Sequence, residues 1–181
     1  MAVGDKKSHS PLDPVPVGPA NVPRITHGPI EAASQSYNAG QLVTMSGVSV
    51  TTTTAGQVVG NNVVAGFAMK DATGTTGADA PLWVPEINQE IEMMAGTAGT
   101  AVTVTTTLFP LNDCFDLFID SNGYCTVDSA TETYAKVKVI GYIKDVNGDY
   151  TKWLRVIPYA GSTGVTTDPC LWAGLSTIVI S

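Results

Sequence analysis

CFDLFIDSNGYCTVD, residues 114–128, and AKVKVIGYIKDVNGDYTKWLRVI, residues 135–157, decide the fold class. Each stretch holds two β-prone runs on either side of a short polar segment, with Asn122-Gly123 in the first and Asn147-Gly148 in the second. Both residue types tolerate positive φ, so Asn-Gly between β-rich runs is a strong hairpin signal. Two hairpins in succession predict an antiparallel meander. Lys136 and Lys138 alternate with Val137 and Val139, the period of a strand.

Working outward, residues 41–50, 62–69, 80–84, 86–94 and 100–108 are predicted as strands, and residues 171–180 as a closing strand after a loop. In 86–94, Ile87, Ile91 and Met93 fall on one face and Glu86, Glu90 and Glu92 on the other. Only residues 108–115 offer a turn or two of helix, and Pro110 limits even that. The expected fold is all-β: an antiparallel β-sandwich or partly open β-barrel with an extended N-terminal arm and very little helix. The expected divisions are the arm at 1–36, a β-domain at 37–160, and a C-terminal loop and strand at 161–181.

In the arm, Pro11, Pro14, Pro16, Pro19, Pro23 and Pro29 are interleaved with Val15, Val17, Val22 and Ile25. Proline fixes φ and extends the residue before it, so helix is excluded. Stretched out, the arm reaches on the order of 100 Å, at about 3.3 Å per residue. A solvated tail favours Ser, Glu and Lys over such apolar residues. Pro14, Val15, Pro16, Val17, Val22, Pro23 and Ile25 are therefore the candidate partner contacts, docking by strand addition or by filling a groove.

The charged fraction is 14% and the net charge is −7. A surface that is polar but sparsely charged suits a protein packed against neighbours. The nine basic residues are scattered, which argues against a nucleic-acid partner. No apolar run approaches the roughly 20 residues of a membrane span, and no apolar run follows Lys6-Lys7 as a signal peptide would require. Synthesis in the cytoplasm is expected, and Cys114, Cys125 and Cys170 read as small core residues. A Cys114–Cys125 bridge across the predicted hairpin stays open as an alternative.

Chemistry is hard to place on this chain. The two histidines, His9 and His27, both lie in the arm, a poor place to hold a general base against a nucleophile. Asp145, Asn147 and Asp149 resemble the start of a calcium loop, but Tyr150 and Val156 stand at the sixth and twelfth positions, where glycine and glutamate are required. The glycine-rich segments 74–77 and 96–99 lack a phosphate-loop lysine and read as turns. Glu86, Glu90 and Glu92 read as a solvated face, and Trp83, Trp153 and Trp172 as core or interface residues in preference to a sugar platform. No catalytic, metal or cofactor residue is expected, and no enzyme activity.

A series of short phrases carries a resemblance: YNAGQLV at 37–43, VAGFAMKDATG at 64–74, PLWVP at 81–85 before the acidic stretch 86–92, then 109–116, 124–128, 137–143, NGD at 147–149 and 153–157. In that order they resemble the head decoration (capsid cement) proteins of tailed bacteriophages. The resemblance implies a β-fold on the outside of an expanded head, often a symmetric oligomer (trimer or dimer), clamping neighbouring major capsid protein subunits. It implies a virion location at the capsid surface after synthesis in the host cytoplasm. The long arm and the tail after Gly161 depart from the shorter members of that family. A tail-tube, fibre or adaptor subunit, or a carbohydrate-binding β module, are the alternatives.

Overall fold

Extended runs broken by glycine and Asx turns give fourteen strands among the described residues of a computed structural model. It describes residues 29–60, 62–86, 88–130 and 134–159, and the backbone alone at 15–17 and 25–26. In chain order they are β1 (Val15–Val17), β2 (Ile25–Thr26), β3 (Ile30–Glu31), β4 (Leu42–Ser46), β5 (Ser49–Thr52), β6 (Gln57–Val58), β7 (Val64–Ala68), β8 (Leu82–Trp83), β9 (Glu90–Thr97), β10 (Thr100–Ala101), β11 (Cys114–Ile119), β12 (Cys125–Asp128), β13 (Val137–Lys144) and β14 (Tyr150–Pro158). No helix occurs among the described residues, and the chain is all-β as its patterning predicts.

Both Asn-Gly hairpins form, β11–β12 and β13–β14. Their turns share one design. Asp120 Oδ1 accepts from the amides of Asn122 and Tyr124, each at 2.8 Å. Asp145 Oδ1 accepts from Asn147 at 2.8 Å and Asp149 at 3.0 Å. Only the glycines take positive φ, 86° at Gly123 and 87° at Gly148. Each turn is therefore a type I turn closed by a left-handed glycine, not the mirror-image turn in which asparagine also crosses to positive φ.

The larger sheet has eight strands and runs β1-β9-β12-β11-β13-β14, with β10 on β9 and β6 on β11. It curls back on itself because β9 is shared. Residues 91–94 of β9 pair with β14, and residues 94–96 pair in parallel with β12 on the opposite edge. That stagger is what a closing sheet needs. The result is a curled, partly open barrel lined by Ile91, Met93, Phe115, Leu117, Val127, Val139, Leu154 and Val156.

The second sheet has six strands in the order β2-β8-β7-β4-β5-β3. Leu42, Val64, Phe67 and Trp83 pack into the barrel core, while Val43, Ala65, Ala68 and Leu82 form a smaller core on the opposite face. A register shift in the β4–β7 pairing puts Val64 and Phe67 on one face. Gly66 makes it possible: its φ is 146°, and a Cβ there would lie 2.6 Å from the Trp83 carbonyl oxygen. Phe67 and Trp83 then stack with centroids 5.0 Å apart.

Several sequence expectations are corrected in detail. Residues 41–50 are not one strand, since Gly47, at φ 60°, folds them into the β4–β5 hairpin. The acidic strand starts at Glu90, because Asn88 adopts φ 69° and the Gln89 amide donates to Glu86 O in place of a strand partner. Of the predicted 100–108 strand only Thr100–Ala101 is strand, with Val102 and Val104 making single backbone hydrogen bonds to Ala95 and Thr151. The sheets are mixed instead of purely antiparallel, with parallel pairing at β9–β12 and β3–β5. The predicted 171–180 strand lies outside the described residues.

Candidate functional site

The predicted contact residues separate on inspection. Val15, Pro16 and Val17 form β1, which pairs antiparallel with Glu92, Ile91 and Glu90 at the end of the larger sheet. Proline is tolerated there because an edge strand leaves its other side unpaired. Ile25 belongs to β2, paired with Trp83 at the end of the smaller sheet. Pro14, Val22 and Pro23 lie outside the described residues. Two segments of the proline-rich stretch thus add one short edge strand to each sheet. Ile30–Glu31 pairs as well, in parallel with β5.

Glu31 is fully buried. Its carboxylate accepts from the Thr73 amide at 2.7 Å and from the Thr73 hydroxyl, while its backbone exchanges hydrogen bonds with Gly77 and Ala78. Burial alone would raise the pKa of this carboxyl, but hydrogen bonding, above all from the Thr73 hydroxyl and amide, holds it below the ordinary value. Tyr37, buried against that charge, is pushed up to about 12 by burial and by Glu31. Glu31 therefore clamps the 71–80 loop onto the start of the fold.

The densest polar cluster lies on the larger sheet at Asp116. Along one edge of β11 the partner changes: Cys114 and Phe115 pair with β13, whereas Phe118 and Ile119 pair with β6. Asp116 stands at the switch. Gly60 approaches it from the β6 side, with its amide donating to Asp116 Oδ2 at 3.0 Å. The Leu117 amide donates to Oδ1 at 2.7 Å. Lys136 approaches from the β13 side, its Nζ 3.9 Å from Oδ1, with both side chains at 0% exposure. Lys136 Nζ also donates to the carbonyls of Gly60 and, at 3.1 Å, Tyr134. The two side chains thus satisfy the amide and the carbonyl of Gly60, supplying the hydrogen bonds that a continuous strand would have made.

On the other edge of β11, Asp128 is the cross-strand partner of Asp116 and is 1% exposed. Its Oδ1 accepts from the Ala98 amide at 2.8 Å. Asp128 in β12, Asp116 in β11 and Lys136, just before β13, form a buried row. Burial pushes the Asp116 carboxyl up to about 6, against the pull of Lys136 and two backbone donors, and the charge of Asp128 adds to the rise.

Lys136 alternates with the core residues Val137 and Val139 but is itself buried, while Lys138 is half-buried. The available signal was Asp116 itself, an acid set between Phe115 and Leu117 in an apolar run. Trp83 is core and Trp153 is half-buried, while Trp172, His9, His27 and Cys170 lie outside the described residues. Glu90 and Glu92 do flank the outer face of β9, and Glu92 meets Arg155 at 3.9 Å in a partly exposed pair of small energetic weight.

No disulfide joins Cys114 and Cys125. The hairpin pairs Cys125 with Ile119, five residues along β11 from Cys114, about 16 Å at the rise of a strand. Burial pushes the Cys125 thiol pKa well up, which makes it inert.

A cleft of about 310 Å³ opens between the β4–β5 hairpin and β6, lined by hydroxyls and amides such as Thr44, Ser46, Thr52, Thr54, Gln57 and Asn62. None of these side chains ionises near neutral pH, so the cleft offers hydrogen bonds and not acid–base chemistry. Among the described residues no group of three or more His, Cys, Asp or Glu side chains could hold a metal ion, and no helix is long and apolar enough to cross a membrane. No family model, curated protein or solved structure matches the chain.

Proposed function

We propose that this chain is a structural protein of a tailed-phage head, bound to the outer surface of the shell as a homo-oligomer (trimer or dimer) and clamping neighbouring major capsid protein subunits. The observation that supports this reading best is the use made of the proline-rich stretch, which contributes β1 and β2 as edge strands on two different sheets. Backbone ladders of three and two residue pairs are individually weak. A strand of this kind can be offered to a neighbouring subunit's edge as readily as to the chain's own, and repetition over a shell multiplies a small gain per site. A charged fraction of 14% fits a surface that works in contact with others. The roles invoked are adhesion and clamping, with no substrate, cofactor, nucleic acid or membrane.

The test is co-sedimentation of the purified chain with expanded, undecorated heads, counting bound copies per capsid subunit. Saturation at a simple lattice ratio, with heads that better resist heat, is the expected outcome. Absence of binding overturns the reading. Removal of residues 1–28, which takes away β1 and β2 but keeps Glu31, should leave a folded protein by circular dichroism that binds heads poorly. Undiminished binding by that variant would eliminate the arm as the clamp.

A further inference from the structure

We propose that Lys136 and Asp116 condense into an intramolecular amide, so that the mature chain carries a covalent cross-link between β11 and the residue preceding β13. This stands apart from the head-protein reading and rests on the local geometry alone.

The two side chains are presented to each other by the sheet. Cys114 pairs with Lys138 and Phe115 with Val137, and the same register continued by one residue sets Asp116 opposite Lys136. Both side chains are at 0% exposure with Nζ and Oδ1 3.9 Å apart, so they are held together without competing water. Such fixed proximity is worth several orders of magnitude in effective concentration.

The carboxyl group is held as the acyl donor, the electrophile of the step. Leu117 N–H donates to Oδ1 at 2.7 Å and Gly60 N–H to Oδ2 at 3.0 Å, so each oxygen faces a backbone donor that would stabilise negative charge developing on it during attack. The nitrogen is oriented in a matching way. The carbonyls of Gly60 and Tyr134 accept from Nζ, and in the neutral amine those two N–H bonds leave the lone pair for Asp116.

Proton transfer within the buried pair converts ammonium and carboxylate into amine and carboxylic acid, a change that a dry site favours relative to water. The raised pKa of Asp116, about 6, is in keeping with this. The amine nitrogen then attacks the carboxyl carbon and the C–N bond forms. A proton passes from nitrogen to the hydroxyl oxygen, the C–O bond breaks, and one water leaves. Nothing is oxidised or reduced. Asp128, cross-strand partner of Asp116 and buried beside it, is the carboxylate placed to carry that proton. Where β11 exchanges β13 for β6, the amide would lock a seam at which β11 and β13 share only two paired residues.

Intact mass of the purified, denatured full-length chain is the measurement. The expected value is about 18 Da below the sequence mass, one water lost, with peptide mapping recovering a branched peptide that joins Lys136 to Asp116. Lys136→Arg should restore the full mass. Asp128→Asn, which keeps the pair and its packing, should slow or stop the loss of water. Asp116→Asn should still link through loss of ammonia, about 17 Da, or remain unlinked, but never lose water. The full sequence mass in the native protein, unchanged on prolonged incubation while it is folded, overturns the proposal whatever the variants do.

Discussion

Glu31 and Asp116 are both fully buried carboxylates, yet their proton affinities are displaced in opposite directions. Glu31 is surrounded by neutral donors, the Thr73 amide at 2.7 Å and the Thr73 hydroxyl among them, and it stays below the ordinary value. Asp116 has a lysine nitrogen at 3.9 Å and two backbone donors, and it is nevertheless pushed up to about 6. Asp116 is embedded in a sheet and shares its row with a second buried carboxylate. Glu31 sits under a loop whose hydroxyl and amides converge on it. Burial sets the cost of charge, and the number and closeness of donors decide whether that cost is met. The first carboxylate is a static clamp, and the second is poised to change state.

The largest effect expected from breaking this contrast is at the pair itself. Asp116→Leu leaves Lys136 buried without its carboxylate and should cost about 3–5 kcal/mol in urea unfolding. Adding Lys136→Met should recover most of the loss. A double variant no more stable than the single one would mean that the row contributes little as an ion pair.

Removing the static clamp should cost less. Glu31→Ala strands the Thr73 donors at the 71–80 loop, for a loss of about 2 kcal/mol. Hydrogen exchange at Thr73 and Ala78 should speed up ahead of exchange in the barrel strands. Uniform acceleration across both sheets would show that Glu31 supports the whole fold and not the loop alone.

The pH profiles sharpen the comparison further. The folded pKa of Glu31 is depressed, so its contribution is present above the unfolded value near 4.5 and is lost as pH falls through the folded one. The stability difference between the native chain and Glu31→Gln should shrink below about pH 4. The folded pKa of Asp116 is raised from 3.8 to about 6, so an unlinked pair gains stability as pH falls from 6 towards 4 and loses it on return to neutrality. A flat profile relative to Asp116→Asn, together with a missing water, would mark the amide. A flat profile at full mass would show that Asp116 does not titrate in this range.

The smallest effect belongs to Thr73→Val, which removes the hydroxyl and keeps the amide. It should cost about 1 kcal/mol and let the Glu31 pKa move upward, read by NMR titration of its side chain. No movement would assign the depression to the backbone donors.

The all-β class and both hairpins were legible in the sequence because their cause is local. In each turn one aspartate caps amides two and four residues ahead, and one glycine takes positive φ, all within five residues. The alternation at Val137, Val139, Ile91 and Met93 named core positions for the same reason, since a strand's period is written in adjacent residues. Alternation did not settle the burial of Lys136, which has a strand's period but not a wet face. What covers it is the Gly60 segment, 76 residues away in sequence, and nothing near Lys136 announces that segment. The fold of 41–50 was missed because Gly47 can sit inside a strand or turn it, and only the partners available to Ser49 and Val50 decide which.

By itself, then, the amino-acid sequence determined the strand-forming runs, the two capped turns, the apolar faces and the proline-rich stretch that cannot be helix. Only the tertiary structure decided that the arm's residues serve as edge strands, that β9 is shared to curl the sheet, and that Glu31, Asp116 and Lys136 are buried polar anchors. The physical reason is distance along the chain. Turn chemistry and pleat are settled between near neighbours, whereas a buried charge depends on hydrogen-bond partners brought from 42, 56 and 76 residues away, which exist as a site only once the sheets have closed.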